Sequence, residues 1–231
     1  MVEAPGRKWL YINIPLMSYS EAWQLQKRIA EARAHGRLQQ DALLLLEHPP
    51  VFTLGRRGGE DNLQVPRSML EQSGVEIHEI ERGGNITYHG PGQLVAYPIV
   101  HLRENRMKVV DFVNALEEIM LRTAADWDVR AVRDERNRGI WIGDNKLGAL
   151  GIAVRRSVSY HGFALNVNLS LEHFKWINPC GLQGVGVTTM ARELGREVPM
   201  NEVREAARRH FEDVCRIKTE AGDLDSLEKL L

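Results

Sequence analysis

The sequence predicts an α+β fold, with strands and helices mixed along one chain, and three observations carry that prediction. Leu10, Ile12, Ile14 and Leu16 recur at every second position, the spacing of a strand with one buried face. Ala22, Leu25, Ile29 and Ala32 recur at helical spacing as far as Gly36, behind a Ser18–Glu21 pair that fits a capping box. Ala42-Leu43-Leu44-Leu45-Leu46 is a continuous apolar run closed by Pro49-Pro50, as expected of a strand covered on both faces. A chain of 231 residues is one large domain, or two small ones at most.

The later elements follow in order. A short helix around 66–72 leads to a strand over 75–80, and residues 94–102 read as another strand. Between them, 82–93 holds four glycines and a proline, a loop with special backbone geometry. Val109, Phe112, Val113, Leu116, Ile119, Met120 and Trp127 mark a long amphipathic helix, and an Arg-rich polar stretch follows over 130–138. Residues 145–154 and 158–168 are candidate strands joined by a turn near Arg156. Leu150, Ile152 and Val154 share one face of the first, while Phe163, Leu165, Val167 and Leu169 share one face of the second. The opposite faces carry Ala149, Gly151 and Ala153, then Gly162 and Ala164. An even-numbered turn brings those small faces together, leaving either a groove for an extended chain or a bed for a closely packed helix. A second Gly-rich loop spans 176–189, and a helix over 201–216 precedes a polar tail expected to fray.

Composition excludes several classes. Lys and Arg number 30 against 31 Asp and Glu, a net charge of −1, so no global basic field for nucleic acid exists. Two cysteines, Cys180 and Cys215, exclude a disulfide framework. No apolar run has the length of a membrane span or the form of a signal peptide, and a cytoplasmic protein is expected. Walker A, zinc-ligand and Rossmann spacings are absent.

The cysteines differ in setting. Cys215 lies near Phe211 and Val214 on the last helix and reads as a small core hydrophobe. Cys180 sits in Asn178-Pro179-Cys180-Gly181-Leu182-Gln183-Gly184, without hydrophobic periodicity, where a thiol is open to a nucleophilic role or to none. A nucleophilic thiol needs a cationic or basic partner to become thiolate. His89, His161 and Lys146 are the candidates. His161 shares parity with Phe163 and reads equally as a core histidine, and Lys146 as a solvated strand end.

Four blocks, in order, carry a resemblance: Arg82-Gly83-Gly84-Asn85-Ile86-Thr87-Tyr88-His89-Gly90-Pro91-Gly92-Gln93-Leu94; Gly143-Asp144-Asn145-Lys146-Leu147-Gly148-Ala149-Leu150-Gly151; His161-Gly162-Phe163-Ala164-Leu165-Asn166-Val167-Asn168; and Pro179-Cys180-Gly181-Leu182. Together they resemble the signatures of the lipoyl(octanoyl) transferases. Asn85 departs from the Gln or Asp common after Arg-Gly-Gly. The resemblance covers most of 8–216 and implies one catalytic domain there, with the biotin/lipoate protein ligase fold, a mixed sheet with packed helices; residues 217–231 are left as the polar tail. It implies transfer of octanoyl from acyl carrier protein to a lysine on lipoyl domains of 2-oxoacid dehydrogenases and the glycine cleavage H protein, the first step of endogenous lipoylation. Neither nucleic acid nor membrane is an expected partner.

By the same resemblance, Cys180 is the acyl-thioester nucleophile and Lys146 its activating partner. Arg82, Gly83, Gly84, Asn85, Ile86, Thr87, Tyr88 and His89 are implied octanoyl-binding residues, with Ala149, Leu150 and Gly151, and Gly162, Phe163 and Ala164. No ATP, metal or other cofactor is expected, because the donor arrives as a thioester on phosphopantetheine. An ATP-dependent ligase of the same fold is the rival, and the Cys180 block argues against it. An acidic carrier calls for a basic rim; Arg56-Arg57, Arg155-Arg156 and the 130–138 stretch are either that rim or solvated surface.

Overall fold

In the computed structural model, which describes residues 7–178 and 185–231, the apolar run supplies an interior strand of a mixed sheet. The chain order is β1 (Arg7–Ile14), α1 (Tyr19–Ala34), β2 (Asp41–Leu46), β3 (Val51–Leu54), α2 (Arg67–Gln72), β4 (Glu76–Glu79), β5 (Ile86–His89) and β6 (Gln93–Ile99). Then come α3 (Val109–Ala125), β7 (Gly139–Ile142), β8 (Asn145–Arg155), β9 (Val158–Asn166), β10 (Gly186–Val187), α4 (Met190–Leu194), α5 (Met200–Cys215), β11 (Ile217–Ala221) and α6 (Leu224–Glu228). The main sheet runs β10-β8-β9-β6-β2-β1-β11, with β7 also on β8; β4-β3-β5 form a small second sheet.

Strand parity explains how the main sheet is covered. Leu43 and Leu45 of β2 face a core with Phe112, Leu116 and Met120 of α3 and Phe211 of α5. Leu44 and Leu46 face the opposite core, with Ala22, Leu25 and Ile29 of α1. Every residue of β2 is buried, as its unbroken apolar sequence requires. Ser18 caps α1, its Oγ accepting from the Glu21 N–H and donating to the Glu21 carboxylate at 2.6 Å.

Two expectations are corrected. The stretch 82–93 is not all loop: Ile86–His89 is a strand, paired antiparallel with β3. Four of its residues are extended because β3 offers a free edge, which no local pattern announces. The chain after 216 does not fray as a polar tail. Ile217–Ala221 pairs parallel with β1, from Arg7 opposite Ile217 to Tyr11 opposite Ala221, and α6 buries Leu227. An edge strand with one buried residue carries almost no hydrophobic signal. No helix among the described residues is long and apolar enough to cross a membrane.

Removing the α1 cap tests the local argument. Ser18→Ala is expected to cost about 1 kcal/mol of stability, read as a lower urea midpoint with an unchanged slope.

Candidate functional site

The turn between β8 and β9 contains two residues, Arg156 and Ser157, both at positive φ (49° and 67°), the geometry that matches strand twist. Ala149 therefore stands opposite Ala164 and Gly151 opposite Gly162. Ala164 is in turn opposite Val95 of β6. The result is a trough of small residues across three strands.

Residues 82–89 roof this trough. The Gly83 N–H donates to the Ile152 carbonyl at 3.0 Å. A Cβ on Gly151 would lie 2.5 Å from the Gly83 carbonyl oxygen, so a side chain there would push the two backbones apart. Arg82 braces the roof: Nη2 donates to the carbonyls of Thr53 (2.8 Å) and Asn85 (2.7 Å), and Nη1 to that of Gly83 (3.0 Å). The cavity between roof and trough is lined by Tyr19, Arg82, Gly84, Asn85, Ile86, Thr87, His89, Val95, Tyr97, Asn137, Lys146, Ala149, Leu150, Gly151, His161, Gly162, Phe163 and Ala164.

A β-bulge brings Lys146 into it. Ile140 of β7 is opposite Gly148, but Trp141 is opposite Lys146, so β8 carries one extra residue. Parity shifts: Leu147 packs into the core that Leu150 and Ile152 also touch, and Lys146 joins Ala149 and Gly151 on the cavity wall. Lys146 is only 4% exposed. Its Nζ donates to Asn137 Oδ1 at 3.2 Å and lies 4.9 Å from the Trp141 ring centre, within cation–π range. Gly139, at φ 127°, passes so close that a Cβ would stand 2.8 Å from Lys146 Cε.

Buried amides tie the blocks together. Gln93 Nε2 donates to Asn166 Oδ1 (2.9 Å) and to the Tyr88 carbonyl (3.2 Å), so its Oε1 accepts from His89 Nδ1 at 2.7 Å. Asn166 Nδ2 donates to the Thr188 carbonyl (3.0 Å), and the Thr188 N–H donates to the Lys146 carbonyl (3.0 Å).

The histidines are held neutral. Burial pushes His89 down to about 3, aided by neighbouring His48, and burial pushes His48 down to about 4. Burial lowers His161 as well. The His48 Nδ1–H faces the Met17 carbonyl at 2.7 Å, leaving Nε2 to accept from the Tyr97 hydroxyl at 2.7 Å. His161 is strained at φ 57°, and neither ring nitrogen has a hydrogen-bond partner among the described residues. Its Nε2 lies 3.8 Å from Glu81 Oε2, and this imidazole is the main influence holding the Glu81 carboxyl down at about 2. Among the described residues, no three His, Cys, Asp or Glu side chains are placed to hold a metal ion.

Residues 18–212 match the family described as the lipoyl protein ligase A/B catalytic domain. An octanoyltransferase from Desulfotalea psychrophila is 51% identical over 195 residues, covering 84% of this chain and 87% of that one. Another, from Syntrophobacter fumaroxidans, is 41% identical over 225 residues, covering 97% and 98%. The chain belongs to the octanoyltransferases of this family. It is an acyltransferase. Among solved structures, a lipoate-protein ligase A bound with ATP superposes with a TM-score of 0.74 at 16% identity, covering 98% of this chain and 92% of that one. A bipartite lipoate protein ligase from Thermoplasma acidophilum gives 0.75 at 16% identity, covering 97% and 90%. The octanoyltransferase chain thus has the α+β lipoate-ligase fold, a mixed sheet with packed helices, expected from its sequence blocks.

Most of the expected octanoyl-binding positions line one cavity with Lys146. Gly83 and Tyr88 do not. Gly83 gives the roof its backbone, and the alternation that turns Thr87 and His89 to the cavity turns the Tyr88 ring against Phe52 (5.3 Å) and His173 (4.7 Å). Cys180 lies outside the described residues. Cys215 is half-buried at the end of α5, and burial pushes its thiol up to about 12, in keeping with a structural role. The sequence reading missed Tyr19, Val95, Tyr97 and Asn137 as lining residues; no local pattern distinguishes them from core or loop. The Arg-rich stretch is largely paired: Arg133 with Glu118, Arg136 with Asp134 and Asp144, and Arg138 with Glu117.

The buried histidines set a pH dependence. Unfolded histidine takes up a proton near pH 6.5, whereas folded His48 and His89 refuse it until about 4 and 3. Between those limits the unfolded chain binds more protons, so this stability is complete above pH 6.5 and declines as pH falls. Urea midpoints are expected to fall steadily from pH 7 to pH 4; a flat profile would count against neutral burial.

Proposed function

We propose that the chain transfers octanoyl from octanoyl-acyl carrier protein to the lysine of lipoyl domains, those of 2-oxoacid dehydrogenases and the glycine cleavage H protein, through a thioester on Cys180. The observation that carries this reading is a blind cavity floored by small residues, with Lys146 on its wall. Burying seven aliphatic carbons is worth about 5–6 kcal/mol at roughly 0.8 kcal/mol per CH₂, enough to anchor a medium chain. The chain re-enters the sheet beside Lys146, with Val187 opposite it in β10. Cys180 is six residues before Gly186 in sequence.

The chemistry runs in two steps. The Lys146 ammonium favours the Cys180 thiolate, which attacks the donor carbonyl; the carrier thiolate leaves and takes its proton from Lys146. One thioester replaces another, so no ATP is consumed. Lys146, now a neutral amine, accepts the proton of the incoming lysine as it attacks the thioester. An amide forms and the Cys180 thiolate leaves beside the restored Lys146 ammonium.

Intact mass spectrometry after incubation with octanoyl-acyl carrier protein tests the nucleophile. One octanoyl adduct is expected, sensitive to hydroxylamine, lost in Cys180→Ser and kept in Cys215→Ser. An adduct that survives in Cys180→Ser would falsify the assignment. For the partner residue, Lys146→Ala is expected to slow acylation and to raise the pH at which Cys180 reacts with an alkylating agent. An unmoved alkylation profile removes Lys146 from that role.

A further inference from the structure

The cavity has an open side and a closed one. Along β8 its walls are half-buried, at Gly84, Thr87, Asn137, Ala149 and Gly151. Towards β6 and α1 every lining residue is buried, Tyr19 to 2% exposure. The row Ala149, Ala164, Val95 crosses from one side to the other on the sheet face that α1 covers. It ends where α1 begins. The geometry points to Tyr19, with His161 beside it, as the gauge that sets acyl chain length. This inference rests on the proposed function and adds what stops the chain.

The dimensions agree. Two strand-to-strand steps, from β8 over β9 to β6, cover about 10 Å. Seven carbon–carbon bonds of about 1.5 Å, in an extended zigzag, reach roughly 9 Å. A tail entering beside Lys146 therefore meets the α1 wall with its terminal methyl, and four more carbons have no straight path.

The wall is also held in place. Tyr19 is the first helical residue behind the Ser18 cap, and its ring stacks on His89 (5.9 Å, 9° between planes) and packs against His48 (5.1 Å). His89 and His48 are themselves fixed by the Gln93 and Tyr97 hydrogen bonds, so retreat of the wall would break buried bonds. His161 adds a polar limit. Its backbone N–H donates to Gln26 Oε1 of α1 at 2.8 Å, and its imidazole, with Nε2 3.8 Å from the Glu81 carboxylate, lines the same cavity. A methylene pressed against it would meet a buried polar edge in place of an apolar wall.

The test is a competition. Enzyme and lipoyl domain are given an equal mixture of carrier-linked acyl thioesters of six, eight, ten and twelve carbons, and the amide products are counted by mass spectrometry. The wild type is expected to favour eight carbons over twelve. Tyr19→Ala is expected to raise the twelve-to-eight ratio at least about tenfold, and Tyr19→Phe to leave it as in the wild type. Ala164→Leu, which fills the trough midway, is expected to shift preference from eight carbons to six by a similar factor. If Tyr19→Ala does not fold, Tyr19→Leu and Ala164→Leu carry the test. Octanoyl transfer by the wild type with unchanged ratios in the variants overturns the gauge alone. A wild type that transfers none of the chains overturns the proposed function and the gauge with it.

Discussion

The register between β8 and β9 decides whether this protein has a cavity. Two turn residues at positive φ place Ala149 against Ala164 and Gly151 against Gly162. One residue more or fewer would rotate every side chain of one strand to the other face, setting Leu150 and Ile152 where the trough now lies. The roof depends on the same alignment. Segment 82–89 rests on Gly151 at a separation that excludes a Cβ, and it is fastened through Ile152. Arg82 folds the roof on itself, its guanidinium donating to carbonyls within the roof and β3, and its charge helps keep the neighbouring His89 unprotonated.

Such a cavity suits an uncharged guest because its titratable walls are mostly neutral. Burial lowers His48, His89 and His161, and for His161 it outweighs the opposing pull of the Glu81 carboxylate. Where their protons reside is fixed by acceptors: Met17 for His48, Gln93 for His89. Lys146 is set apart from them on the opposite side, against Asn137 and the Trp141 face. The Lys146 ammonium thus stands on the β8 wall, while Arg82 and the Glu81 carboxylate lie among the histidines and tyrosines of the closed side.

How much of this is legible in the sequence depends on the range of the signal. α1, α3, β8 and β9 announce themselves through hydrophobic period and β2 through its unbroken apolar run; the alternation within β8 and β9 marks the small faces but leaves open whether they form a trough or a bed for a helix. The site blocks are legible through their resemblance to the lipoyl(octanoyl) transferases; residue by residue, Lys146 and His161 also read as a strand end and a core histidine. What stays hidden is settled by contacts distant in sequence. β5 and β11 exist because another strand offers an edge, and Tyr19 faces the cavity because α1 begins where the row through Val95 ends. The bulge in β8 is hidden too. Strict alternation puts Lys146 on the face of Leu150, and only the offset between Ile140 and Trp141 shows that it turns inward.

That bulge bears on how binding and chemistry are joined. β8 supplies Ala149 and Gly151 to the floor and Lys146 to the wall, three and five residues apart on a single strand. The strand is pinned on both sides, by β9 along its length and by β7 and β10 at the Lys146 end. On the proposed function, an acyl tail seated on the floor would lie at a fixed distance from the ammonium, so that burying it would help place its carbonyl. Gly139 and Gly148 keep that arrangement compact, since a Cβ on either would meet Lys146 or the core at less than 3 Å. The parts of the chain with the least side chain are those that hold the reactive end most tightly.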